Sequence, residues 1–132
     1  MISGRCLCGA VAYEAEAMKN EIDACHCRSC RRWSGHFWAS VNAHFSSLKI
    51  LTGEDRIKWF QSSDVVRRGF CVDCGSTLFW HPDRHEKYSH LLGISAGSLD
   101  EPTGVRLALH IFVAEKGDYY DLNDGLPQRP GH

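Results

Sequence analysis

The sequence predicts one mainly β domain with little helix, and three observations lead there. Short runs of period-two apolar alternation recur along the chain, separated by turn residues. The regular helix–strand alternation that a parallel α/β sheet needs is missing. The seven cysteines fall into close groups, the pattern of thiols gathered around metal ions and a poor match to a disulfide framework.

The elements follow in order. Gly9–Glu16 alternates directly after Cys8, placing Val11, Tyr13 and Ala15 on one side of a strand. Further strand-like runs are Phe37–Val41, Leu48–Leu51, Ile57–Gln61, Val65–Phe70, Thr77–His81, Tyr88–Ala96 and Leu107–Val113. Their short spacing, and turns such as Thr52-Gly53-Glu54-Asp55, point to antiparallel pairing. One short helix is expected through Ser29–Trp33, stopped by Ser34-Gly35, while Asn20–Ala24 reads less clearly as helix. Residues 1–122 are read as a single metal-binding domain and 123–132 as a turn-rich C-terminal tail that lies on the surface or frays.

At 132 residues, 43% hydrophobic and 23% charged, the chain has ordinary globular composition and length for one core. A formal net charge of −1 provides no overall basic surface for phosphate backbones, so nucleic acid is not the expected partner. The N-terminal residues lack the pattern of a secretory signal, and no apolar run approaches the roughly 20 residues of a membrane helix. The expectation is a cytoplasmic protein with no membrane partner. The sequence carries no signal of oligomeric state.

The thiols divide into four plus three. Cys6 and Cys8 share one face of an extended segment, and Cys71 and Cys74 have the C-x₂-C spacing of a zinc knuckle, with Gly75 at the turn. Together these four can close a tetrahedral Zn²⁺ site that holds the fold, and Arg5, Arg67 and Arg68 are candidates to offset its negative charge.

Cys25, Cys27 and Cys30 form a local three-sulfur claw. It is either a second zinc site with an open position or a structural site closed by a histidine: His26, His36, His44, His81 or His110. His26 is a poor closing ligand, because it lies between two cysteines that must both face the metal. Three thiolates make zinc a weak Lewis acid, so an open position favours a soft external thiolate over hydrolytic water. Arg28, Arg31 and Arg32 give a positive edge suited to the carboxylates of an acidic thiol, and Trp33, Phe37 and Trp38 are candidates for pocket walls or for packing.

The chain resembles the glutathione-dependent formaldehyde-activating enzyme family, which includes centromere protein V. The resemblance runs through Gly4-Arg5-Cys6-Leu7-Cys8-Gly9, Cys25-His26-Cys27-Arg28-Ser29-Cys30-Arg31-Arg32-Trp33-Ser34-Gly35 and Phe70-Cys71-Val72-Asp73-Cys74-Gly75-Ser76-Thr77-Leu78-Phe79. It continues through Gly97-Ser98-Leu99-Asp100, His110-Ile111-Phe112-Val113 and Asp124-Gly125-Leu126-Pro127. The resemblance implies a β-tent fold of coiled antiparallel sheets, with structural zinc on Cys6, Cys8, Cys71 and Cys74 and catalytic zinc on Cys25, Cys27 and Cys30. It implies a carbon–sulfur lyase reaction joining glutathione and formaldehyde as S-(hydroxymethyl)glutathione. Where the family often has Ala-Pro-Trp after the His110 stretch, this chain reads Gly117-Asp118-Tyr119. The competing expectations are a zinc-stabilised binding module and a glutathione carrier without catalysis.

Overall fold

A computed structural model describes residues 1–132. Ten strands and one short α-helix follow in chain order: β1 (Ile2–Arg5), β2 (Ala12–Ala15), β3 (Ala17–Cys25), α1 (Arg28–Ser34), β4 (Trp38–His44), β5 (Lys49–Thr52), β6 (Ile57–Gln61), β7 (Arg67–Cys71), β8 (Thr77–His81), β9 (Leu91–Ser95) and β10 (Arg106–Ile111). The mainly β architecture with little helix is as expected. β6 and β8 fall on the expected residues, and α1 extends the expected helix by one residue at each end.

Two sheets enclose the core. The smaller runs β1-β2-β5 and the larger β10-β3-β4-β9-β8-β7-β6. Val11, Tyr13 and Ala15 present one fully buried face from the smaller sheet, as their alternation requires. They meet Val41, Ala43, Phe79, Leu92 and Ile94 from the larger one. The register Ile22↔Val41 and Ala24↔Ala39 places these residues on the core face of β3 and β4. The intervening Asp23↔Ser40 and Cys25↔Trp38 pairs therefore share the opposite face.

Two departures, and the course of the C-terminal segment, matter for the site. Asn20–Ala24 is strand, because β3 must continue to Cys25 to pair with β4. β10 runs parallel to β3, so the larger sheet is mixed. The C-terminal segment lies on the surface, where His110 N–H donates to Pro127 O (3.0 Å), Arg129 N–H to His110 O (2.9 Å) and Phe112 N–H to Gly131 O (2.8 Å), stitching it along β10. No helix is long and apolar enough to cross a membrane.

Two thiol clusters and a cavity

The sulfurs of Cys6, Cys8, Cys71 and Cys74 lie within 4.8 Å of one another, with Cys6 to Cys8 at 3.6 Å and Cys8 to Cys71 at 3.9 Å. The first pair follows β1 and the second forms the β7–β8 turn. That turn closes through Gly75, whose φ of 77° favours glycine and whose N–H donates to Cys71 O at 2.8 Å. Val11 N–H donates to Cys6 Sγ (3.3 Å), and Ser76 Oγ lies 3.3 Å from Cys74 Sγ. Four converging sulfurs with N–H and hydroxyl partners are a donor set fitted to a thiophilic metal. The arginines expected to offset it are elsewhere: Arg5 pairs with Asp100 (3.3 Å), Arg67 Nε donates to His81 Nδ1 (3.1 Å), and Arg68 reaches the other cluster.

The sulfurs of Cys25, Cys27 and Cys30 also lie within 4.8 Å of one another, and no histidine or carboxylate joins them. Local structure explains the claw. Cys25 ends β3, Cys27 is the N-cap of α1 with its sulfur accepting from Cys30 N–H (3.3 Å), and Cys30 is the one buried residue of the helix. Gly35 ends the helix by donating to Arg31 O. Hydrogen bonds from Cys25, and next from Cys30, push the Cys27 thiol down to about 2, while Cys25 is pushed up.

The claw opens onto a cavity of about 570 Å³ on the face of the larger sheet opposite the core. Asp23 and Cys25 of β3, Trp38, Ser40 and Asn42 of β4, and Leu109 and Ile111 of β10 form its floor. Arg68, Trp80, His85 and Tyr88 line it from beyond β9, and Arg129 and His132 from the C-terminal segment. Gly93 makes room: a Cβ there would stand 3.3 Å from both the Trp38 ring and Trp80 Cβ. Trp38 Nε1 is the one buried side-chain nitrogen or oxygen without a hydrogen-bond partner.

The structure places the other sequence candidates differently. Arg28, Arg31 and Arg32 do not line the cavity. Arg31 instead donates to the carbonyls of His26 (3.2 Å) and Glu115 (2.7 Å), bracing the claw, and Arg28 N–H donates to Glu115 Oε1. Of the aromatic candidates, Trp38 is in the wall, Trp33 packs against it with the rings tilted by 57°, and Phe37 packs on His26. Tyr119 is exposed, with its hydroxyl 2.9 Å from His36 Nδ1.

His26 turns away from the claw, as its position between two cysteines requires, into a buried hydrogen-bond chain. Its Nδ1 lies 2.6 Å from Tyr120 Oη and its Nε2 lies 2.8 Å from His110 Nδ1, while His110 Nε2 lies 2.8 Å from Asp124 Oδ2. Both rings are buried. Burial, and next the neighbouring His110, pushes the His26 pKa down to about 4, so this ring is neutral at pH 7. The hydrogen bond from His110 holds the Asp124 carboxyl below its usual range. Two histidines more than eighty residues apart gave no pairing signal in the sequence.

Fold and site together define a small β protein built around two cysteine clusters, one complete and one facing a cavity. The glutathione-dependent formaldehyde-activating enzyme family matches residues 1–115, and the chain belongs to that family. It is 32% identical over 77 residues to an uncharacterized lyase of Schizosaccharomyces pombe, a match covering 58% of this chain and 55% of that protein. The chain thus spans about half the length of that curated relative. A crystal structure of a Rhodobacter sphaeroides protein superimposes with a TM-score of 0.66 at 20% identity, covering 96% of this chain and 98% of the other, a likeness of fold.

Proposed function

We propose that the chain is a zinc-dependent carbon–sulfur lyase-type enzyme acting on the adduct of a small thiol and an aldehyde. The family's description names glutathione and formaldehyde, so in this reading the adduct is S-(hydroxymethyl)glutathione, formed from the two and split back into them. The observation that carries this reading is the three-sulfur claw with no fourth protein ligand, opening onto a cavity of about 570 Å³.

In this reading Cys6, Cys8, Cys71 and Cys74 hold a structural zinc, and Cys25, Cys27 and Cys30 hold a second one. When bound at the claw, Zn²⁺ supplies a soft acid that favours the thiolate form of an incoming thiol at neutral pH. The chain's own residues do the rest. Trp38 and Trp80 wall the cavity and restrict the orientations in which thiol and aldehyde can meet. Arg31 holds the carbonyl of His26 and keeps the claw's backbone in place.

The test is zinc per chain in wild type and Cys27→Ala, with glutathione titrated and the metal's sulfur coordination followed by X-ray absorption. Two zincs, one lost in the variant and one gaining a sulfur with glutathione, are expected. Two zincs indifferent to glutathione, with a variant that unfolds, would favour a binding module with two structural metals. A gained sulfur without accelerated exchange of [¹³C]formaldehyde would mark a glutathione carrier.

A further inference from the structure

Arg68 of β7 is 6% exposed, yet no aspartate or glutamate forms an ion pair with it. Its Nε donates to Ser62 Oγ at 3.1 Å, its Nη1 to Cys30 Sγ at 3.5 Å, and its guanidinium lies over the Trp33 ring at 5.1 Å. Arg68 also lines the cavity. Nη2 is the guanidinium nitrogen left without a protein partner, and it is not among the sealed-off polar atoms, so it remains available to a ligand. A guanidinium stays charged even when buried. The side chain is therefore a fixed cationic donor beside the claw, held by stacking and by two hydrogen bonds that leave one edge free.

We propose that Arg68 is a catalytic residue that stabilises the oxyanion formed when the thiolate adds to the aldehyde. The inference rests on the thiol-adduct reading above. The sulfur lone pair forms the C–S bond, the C=O π pair moves onto oxygen, and the resulting alkoxide accepts a hydrogen bond from Arg68 Nη2. Water gives the alkoxide its proton, and the hydroxide left is neutralised by the proton the thiol released on ionising. In the reverse direction the hydroxyl proton leaves, the C–S bond breaks, and thiolate and aldehyde are regenerated. Arg68 moves no proton. A donor already in place stabilises developing charge without reorganising, which is why such donors act mainly on the chemical step.

The test compares wild type, Arg68→Met and Arg68→Lys, each loaded with zinc, using exchange NMR of glutathione with [¹³C]formaldehyde. Arg68→Met is expected to lower kcat about 10²- to 10³-fold, the size of effect seen for a lost oxyanion donor. KM for glutathione and the sulfur gained at the metal should stay within about twofold, because neither depends on a transition-state contact, and rates are compared at saturating zinc because Nη1 also donates to Cys30 Sγ. Arg68→Lys, which keeps the charge and most of the stem, is expected to recover part of the rate and carries the test if methionine disturbs the claw. Full kcat in Arg68→Met overturns the proposal. So does raised KM at unchanged kcat, which would make Arg68 a reader of substrate carboxylates, or a rate deficit that excess zinc abolishes, which would make it only a counter-charge to the thiols. A wild-type protein that gains no sulfur and accelerates no exchange would sink the parent reading and this one together. An active wild type beside an equally active Arg68→Met would sink this one alone.

Discussion

The buried chain Tyr120–His26–His110–Asp124 predicts an inverted double-variant cycle. A carboxylate can only accept, so His110 Nε2–H donates to Asp124, and with one proton on each ring His110 Nδ1 accepts from His26 Nε2–H, leaving His26 Nδ1 to accept from Tyr120 Oη–H. Replacing His110 by leucine leaves His26 Nε2–H without a partner at a site with no exposure. An orphaned buried donor costs about 1–3 kcal/mol, and about 2 kcal/mol is taken here. At about 3–4 °C per kcal/mol for a chain of this size, Tm should fall about 7 °C. Replacing His26 by leucine as well removes the orphan. Tyr120 is half-buried and Asp124 is exposed, so water can satisfy both. The double variant His26→Leu/His110→Leu should therefore lie above His110→Leu in Tm, recovering about half the loss, since exchanging both members of a buried polar pair for apolar groups is close to neutral. Calorimetry of the zinc-loaded proteins reads the result. A double variant as unstable as the sum of the singles would show that the rings contribute packing alone and that the chain of hydrogen bonds adds nothing.

Cys71→Ala should lose one zinc and several kcal/mol of stability, because metal held by residues distant in sequence is folding free energy; metal analysis with thermal melting checks it. His81 stacks on Phe45 at 3.9 Å, accepts from Arg67 and lies 3.0 Å from Ser89 O, and burial lowers its pKa below 6.5. A histidine depressed on folding contributes stability that is whole above its unfolded pKa, about 6.5, and is lost as pH falls below that value. Urea midpoints between pH 7.5 and 5 should show this slope in wild type and a shallower one in His81→Gln. Gly93→Ala should press a methyl against Trp38 and Trp80, costing about 1–3 kcal/mol as overpacking and weakening glutathione binding by narrowing the cavity; denaturant melts and a thiol titration together test both.

Much of the architecture was legible because strands with one buried face advertise themselves. Val11, Tyr13 and Ala15 alternate as the core demands, and β6 and β8 are bounded by turn residues. β1 went unread because in Ile2–Arg5 the second inward residue is Gly4, which carries no apolar signal. The middle of β3 was ambiguous because Lys19, Asn20 and Glu21 are all exposed, so no periodicity marks that half as strand. The grouping of the thiols was legible from spacing alone. The cavity's cations were not. Arg28, Arg31 and Arg32 adjoin the claw in sequence, but α1 buries only Cys30 and turns them outward or against backbone carbonyls. Arg68 sits three residues before Cys71, and on a strand that odd separation sends the two side chains to opposite faces. Sequence proximity therefore pointed it at the wrong cluster.

The same strand alternation explains how one ligand type is put to two uses. The four-sulfur cluster joins pairs whose nearest members, Cys8 and Cys71, are 63 positions apart along the chain, so a metal there closes a long loop and fastens the smaller sheet to the β7–β8 turn. The claw lies within six consecutive residues, and a metal there closes a loop too short to gain much stability by restricting the unfolded chain. Its position is fixed from outside: by Arg31 on the His26 carbonyl, by Arg68 on the Cys30 sulfur, and by the His26 ring anchored through His110. Because those fasteners lie behind and beside the sulfurs, the remaining direction stays clear toward the cavity. A centre held by its surroundings can leave one position to a substrate without loosening the fold.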